Sequence, residues 1–209
     1  IFVVPKNRPS IKKYFFNDNF YKKILKKKKK DKRLKKVFKR LKKFQKMIKF
    51  VYQNKPEGTG HAVLQCKKYL KGTHFLMLLA DDLIVKKNCS KEMISLHNKT
   101  KGSVIATRKV ERKTVSRWGI LGFKNKAKNS FLINDVIEKP KLSEAPSNYA
   151  IIGRYILPMK ILSVLKNQKR GKGGEIHITD AIKTLVNRNE KFYANIFKGK
   201  YIDCGTLKG

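Results

Sequence analysis

The sequence predicts an α/β fold with a mixed sheet, and three observations carry that reading. Early apolar strands alternate with helical patterns, and later strands follow one another as antiparallel-looking neighbours. The run Phe75-Leu-Met-Leu-Leu-Ala80 is continuously apolar, as in a buried strand covered on both faces. It ends on Asp81-Asp82, at the edge where an open α/β sheet places its ligand crevice. Two acids there suit a hard cation and phosphates. The same pair also suits a solvated turn, because Asp makes local backbone hydrogen bonds.

The chain has 209 residues, 41% of them apolar, enough for one domain with a packed core. With 52 Lys and Arg against 14 Asp and Glu, its formal charge is +38. Such a charge attracts polyanions, and it costs stability through self-repulsion. Lysines are spread over loops and helices alike, which fits compositional drift as well as it fits a binding surface. The three cysteines, Cys66, Cys89 and Cys204, show no C-x-x-C spacing; a reducing cytoplasm with free thiols fits them better than a disulfide framework or a zinc site. No apolar run reaches membrane-spanning length, so no membrane partner is expected, and Ile1-Phe-Val-Val4 does not read as a secretory signal.

In chain order, residues 1–4 form a short strand, Ser10 caps a helix over 11–19, and residues 32–47 form an amphipathic helix. Leu34, Val37, Phe38, Leu41 and Phe44 make its apolar stripe. Like charges on its outer face weaken it by roughly 0.2–0.5 kcal/mol per pair. That face, rich in Lys and poor in Arg, reads as solvated, with diffuse attraction to RNA or anionic lipid as the functional alternative. Residues 48–52 are a strand, followed by a glycine-bearing loop and a helix over 62–69, the layout of an anion cradle. It is neither Gly-x-Gly-x-x-Gly nor a P-loop. Helix 89–99 is capped by Asn88. Strands follow at 102–107, 118–123, 131–138 and 148–157, with a charged loop over 108–117. Pro158 opens a helix through Lys166. A basic glycine loop occupies 169–174, and helix 178–188 turns Ile178, Ala181, Ile182 and Leu185 inward. Strands at 192–197 and 201–204 close the chain. No linker composition divides it, so one domain over 1–209 is expected.

Seven stretches then fall in one order: QNKPEGTGHAV from Gln53, FLMLLADDL from Phe75, SRWGILG from Ser116, VIEKP from Val136, APSNYAIIGRY from Ala145, GGEIHITDAI from Gly173 and YIDCGT from Tyr201. Together they resemble the bacterial-type UTP–glucose-1-phosphate uridylyltransferases, a branch of the sugar nucleotidyltransferases. The resemblance implies a Rossmann-like nucleotidyltransferase fold with a mixed, mostly parallel sheet flanked by helices. It implies Mg²⁺-dependent transfer from UTP to glucose 1-phosphate, giving UDP-glucose and pyrophosphate in the cytoplasm, by a homo-oligomer. Asp81 and Asp203 would hold the metal and, with Lys139, form the catalytic set; Asp82 would assist. Lys139 would also hold the sugar phosphate, Glu138 and Glu175 the sugar, Gln53 and Gly58 the uracil, and Gly119 would bring its backbone close to the sugar. Without the family match, Glu138-Lys139 reads as an exposed strand end, Asp203 as a turn residue and Asp180 as first-turn helix chemistry; His61 and His177 read as structural. The family's glycine-rich phosphate loop would precede Ile1 and a helix would follow Gly209, so a truncated chain is expected. Ala80, Glu57 and Thr59 depart from the family pattern. Two alternatives remain: an inactive truncated product that binds RNA nonspecifically, and a sister enzyme that uses dTTP.

Overall fold

The structure, a computed structural model, describes residues 1–7, 10–28, 31–126 and 130–205. Thr206, which ends the last of the seven stretches, lies outside them, as do residues 8–9 of the expected first loop. The chain divides into two compact units, residues 1–56 with 65–69, and residues 57–64 with 70–209.

In the first unit, β1 (Phe2–Pro5) and β2 (Phe50–Gln53) pair in parallel, from Phe2 opposite Phe50 to Pro5 opposite Gln53. A parallel pair requires a crossover, here made by α1 (Ser10–Phe16), α2 (Asp18–Lys27) and α3 (Lys32–Gln45). Aromatic rings hold this layer together: Phe2 lies 5.2 Å from Phe15 and 5.7 Å from Phe50, and Tyr21 lies 5.0 Å from Phe38. Asn17 and Asp31 cap α2 and α3, their side chains accepting from the amides of Phe20 and Leu34. The buried stripe of α3 is narrower than expected. Phe38 is buried and Leu34 and Leu41 are half-buried, but Val37 is 57% and Phe44 41% exposed, on the flank of the stripe. Helix α2 was not expected, although it is amphipathic: Phe20, Tyr21, Ile24 and Leu25 share one face and Lys22, Lys23, Lys26 and Lys27 the other.

The second unit contains α4 (Thr59–Gln65), of which Thr59 to Leu64 belong to it, β3 (His74–Leu78), β4 (Asp82–Val85), α5 (Cys89–Thr100) and β5 (Ser103–Lys109). Then come β6 (Gly119–Lys126), β7 (Ser130–Glu138), β8 (Tyr149–Pro158), α6 (Ile161–Asn167), α7 (Ile178–Asn187), β9 (Phe192–Ile196) and β10 (Lys200–Asp203). Six strands form a mixed sheet in the order β3-β8-β5-β9-β7-β6. From the pairings, β3, β5, β9 and β6 point one way, and β8 and β7 run against them. The shared direction is the mostly parallel sheet expected. The two reversed strands sit between its members, so β5 with β9 is the one directly parallel pair of this sheet among the described residues. Strands β4 and β10 form a separate antiparallel pair. The main core gathers Ile105, Leu121, Phe131, Leu157, Ile182 and Phe192 from sheet and helices, all essentially buried.

Three local expectations are corrected. β3 stops at Leu78, and only its Phe75 and Met77 face packs on the core, while Leu76 and Leu78 stay exposed. It lies at the edge of the sheet, and the exposed Leu76 and Leu78 show that its second face lacks apolar cover. Asp82 begins strand β4 and is not part of a free turn. Pro158 closes β8 opposite His74 instead of opening a helix, since its fixed φ suits a strand end as well; α6 begins at Ile161.

Candidate active site

The acids assemble first. β10 runs antiparallel to β4 with Asp203 directly opposite Asp82, and the Cys204 amide donates to the Asp81 carbonyl at 2.7 Å. This sets Asp203 beside Asp81, far apart in sequence. Gly205 lies between them: a Cβ there would sit 3.2 Å from Asp203 Oδ1 and 3.3 Å from Asp81 Oδ2. The two oxygens are thus separated by no more than the sum of those distances. The Gly205 amide donates to Asp203 Oδ1 at 2.8 Å. Asp82 is engaged otherwise. Its Oδ2 accepts from the Gly153 amide at 2.9 Å, its Oδ1 from the Tyr201 hydroxyl at 2.5 Å, and its carbonyl from Arg154. Burial pushes its carboxyl up, and the hydrogen bond from Tyr201 opposes that shift. Among the described residues no group of three or more metal-ligating side chains gathers, so this site is a two-carboxylate one.

The second cluster stands at the ends of β6 and β7. Gly119 pairs with Glu138. Glu138 Oε2 accepts from Thr179 Oγ1, at the start of α7, at 2.9 Å. A Cβ on Gly119 would meet that same Oε2 at 3.2 Å, with Ile151 and Thr179 each at 3.1 Å, so glycine leaves this flank open. Lys139 adopts a left-handed backbone (φ 45°), uncommon outside glycine. Its amide donates to the Trp118 carbonyl, and its own carbonyl accepts Lys172 Nζ at 2.9 Å. Lys139 Nζ lies 4.0 Å from Glu138 Oε1.

Lys172 belongs to the basic glycine loop, which binds this cluster to a third one. The Gly171 amide donates to the Glu175 carbonyl, and His177 Nε2 meets the Lys172 carbonyl at 2.7 Å. His177 is thereby tied to the loop through its ring. Residues 57–60 then run alongside 175–176: the Ile176 amide donates to the Glu57 carbonyl and the Gly60 amide to the Ile176 carbonyl, each at 2.8 Å. Gly58 has φ 100°, and a Cβ there would meet Ile176 O at 2.7 Å and Glu175 Cβ at 3.0 Å, so only glycine fits. Arg170 pairs with Glu57 at 2.7 Å. Beneath the acids and Glu138 lies Tyr155, buried, its phenol pushed up first by burial and then by the charges of Glu138, Asp82 and Asp81.

The structure thus brings Asp81 to Asp203, Gly119 and Lys139 to Glu138, and Gly58 to Glu175. Gln53 ends β2 in the other unit. Four residues escaped sequence reasoning: Thr179, Lys172, Tyr201 and Gly153. Thr179 had a visible signal, its place one residue before Asp180 at a helix start. Tyr201 and Gly153 had none, because their partner Asp82 is remote in sequence.

The mixed α/β sheet thus carries paired carboxylates at strand ends and, separately, a glycine loop with close backbone packing, features suited to a cation and to a phosphate-bearing ligand. The nucleotidyl transferase family matches residues 9–209. A UTP–glucose-1-phosphate uridylyltransferase 2 of Staphylococcus saprophyticus is 35% identical over 210 residues, covering all of this chain and 72% of that protein. A Streptococcus pyogenes uridylyltransferase is 38% identical over 168 residues, 78% of this chain and 55% of that protein. In structure, apo UDP-glucose pyrophosphorylase superposes with TM-score 0.85 at 33% identity, over 99% of this chain and 76% of the other. The complex of a UDP-glucose pyrophosphorylase with UDP-glucose gives 0.81 at 32% identity, over 99% and 75%. The chain belongs to the nucleotidyl transferase family and, within it, to the UTP–glucose-1-phosphate uridylyltransferases.

Proposed function

We propose that the site transfers a uridylyl group from UTP to glucose 1-phosphate. A phosphate oxygen of glucose 1-phosphate attacks the α-phosphorus of UTP, and the bond to pyrophosphate breaks with its electron pair leaving on pyrophosphate. Such transfer depends on positioning and charge neutralisation more than on proton transfer. The observation that carries the reading is the approach of Asp81 to Asp203 across Gly205. A pair of carboxylates suits Mg²⁺, which takes oxygen ligands and keeps positions for substrate phosphates. Bound there, Mg²⁺ would neutralise phosphate charge. Lys139 supplies a point charge to the sugar phosphate, with its backbone held by Trp118 and Lys172. Glu138, fixed by Thr179, accepts from glucose hydroxyls, and Glu175 is a further sugar contact. Gly58 offers close backbone approach to the uracil, and Gly119 leaves room for the sugar. That solved relatives hold UDP-glucose or UTP supports the substrate choice.

One nucleotidyltransferase domain over residues 1–209, Mg²⁺ as its metal, a cytoplasmic location and homo-oligomeric assembly belong to the same reading; Cys66, Cys89 and Cys204, none of them in a disulfide, are in keeping with it. No helix among the described residues is long and apolar enough to cross a membrane. The test is UTP- and glucose-1-phosphate-dependent pyrophosphate release, with dTTP as the competing donor. Asp81→Asn should lower kcat at least 100-fold, on the order of what one lost electrostatic contact to the transition state costs. Equal turnover by wild type and Asp81→Asn sinks the reading. A second property rests on charge: the exposed lysines of α2 and α3 support nonspecific polyanion binding.

A further inference from the structure

Asp82 stands directly opposite Asp203 where β4 meets β10, and follows Asp81 in the chain. Like charges facing one another across an antiparallel pair oppose that pairing. Yet β10 is four residues long, and its tip must carry Asp203 to Asp81. Something must hold it there. Tyr201 lies two residues before Asp203, hence on the same face of β10. It sits opposite Ile84 and so diagonal to Asp82, within reach of a ring of its length. Its hydroxyl donates to Asp82 Oδ1 at 2.5 Å. The other carboxylate oxygen is tied to the Gly153 amide of β8, and the Asp82 carbonyl to Arg154. The Tyr201 ring is itself packed, with the Arg108 guanidinium 5.2 Å from its centroid and the Trp118 ring edge-to-face, its centroid 6.1 Å away.

We infer that the Tyr201–Asp82 bond is a positioning clamp that presets the spacing of Asp81 and Asp203 for a divalent cation. Asp82 touches no substrate in this scheme. It converts a repulsive neighbour into an anchor, joining β4, β8 and β10 at one carboxyl. The inference rests on Asp81 and Asp203 being the metal pair, and its test keeps the two apart.

The experiment titrates the full chain with Mn²⁺ and follows free Mn²⁺ by electron paramagnetic resonance, with thermal unfolding measured with and without the ion. Tyr201→Phe removes only the hydroxyl. It should weaken Mn²⁺ binding by about tenfold, as loss of an outer partner to a metal-ligating group does, and shrink the rise in Tm that Mn²⁺ gives. Arg108→Gln frees the ring but keeps the hydroxyl, and should weaken binding in the same direction by less; it carries the test if Tyr201→Phe does not fold. Asp81→Asn should abolish the site. If Asp81→Asn binds Mn²⁺ like wild type, the metal pair itself is wrong. If Asp81→Asn loses the ion while folded Tyr201→Phe or Arg108→Gln retains wild-type affinity, the clamp is overturned and the metal pair stands.

Discussion

At the scale of single residues, titratable groups outside the site report on the fold independently of catalysis. His74 opens β3 with its ring 4.6 Å from that of His97 and its Nδ1 3.2 Å from Thr73 Oγ1. Burial lowers its pKa, and His97 and Lys160 push it further down while Glu190 pulls it up. A depressed histidine favours the folded state while neutral. Its contribution is present above the ordinary histidine pKa and is lost as pH falls through the lower folded value. Chemical denaturation between pH 5 and 8, a window spanning about the unperturbed value, should show stability declining on the acid side, and His74→Gln should flatten that step. An unchanged profile means the pair is not coupled to folding. At this scale Asp81, Asp203, Glu138 and Lys139 were singled out through the family resemblance, and the structure sets Asp81 near Asp203 and Lys139 near Glu138. What was not legible were the residues that hold them, since Thr179, Lys172 and Tyr201 act through hydrogen bonds to partners distant in sequence.

At the scale of elements, periodicity served well where a helix or strand buries one clean face. α7 turns the expected Ile178, Ala181, Ile182 and Leu185 inward, and α5 starts at its Asn88 cap, which accepts from the Lys91 amide at 3.0 Å. β4 defeated it, being four residues long and paired only with a strand near the end of the described chain. The fit around β8 is the sharpest local prediction. A Cβ on Gly153 would sit 2.1 Å from Asp82 Oδ2 and 2.6 Å from Leu79 Cβ. Gly153→Ala should therefore destabilise by roughly 1–3 kcal/mol, the usual cost of overpacking, read as a lower denaturation midpoint at unchanged slope. A midpoint equal to wild type would show that the β3–β4 turn yields freely.

At the scale of the molecule, the excess of 52 basic over 14 acidic residues acts on everything at once. Self-repulsion is long-ranged and screened over about 8–10 Å near physiological salt. Tm should rise with NaCl between 20 and 300 mM, a range of about one order of magnitude in ionic strength chosen to span that screening, while binding to a 30-mer of RNA, roughly two or more contact lengths for a basic patch, should weaken steeply over the same range. A flat Tm would mean that the lysines are spaced widely enough to ignore one another. Charge was fully legible in the sequence; that Lys172 reaches the Lys139 carbonyl was not, since nothing in the sequence sets it apart from the other basic residues of its loop.

The pairing of β4 with β10 also has a consequence in time. Ribosomes deliver residues in order, so Asp81 leaves the exit tunnel with its partner still unmade. At 5–20 residues per second, Asp203 follows on the order of ten seconds later. Until then the β4–β10 pair cannot form and Asp81 lacks the carboxylate that the fold sets beside it. Meeting of the two acids is thus a late event of synthesis, fixed by topology.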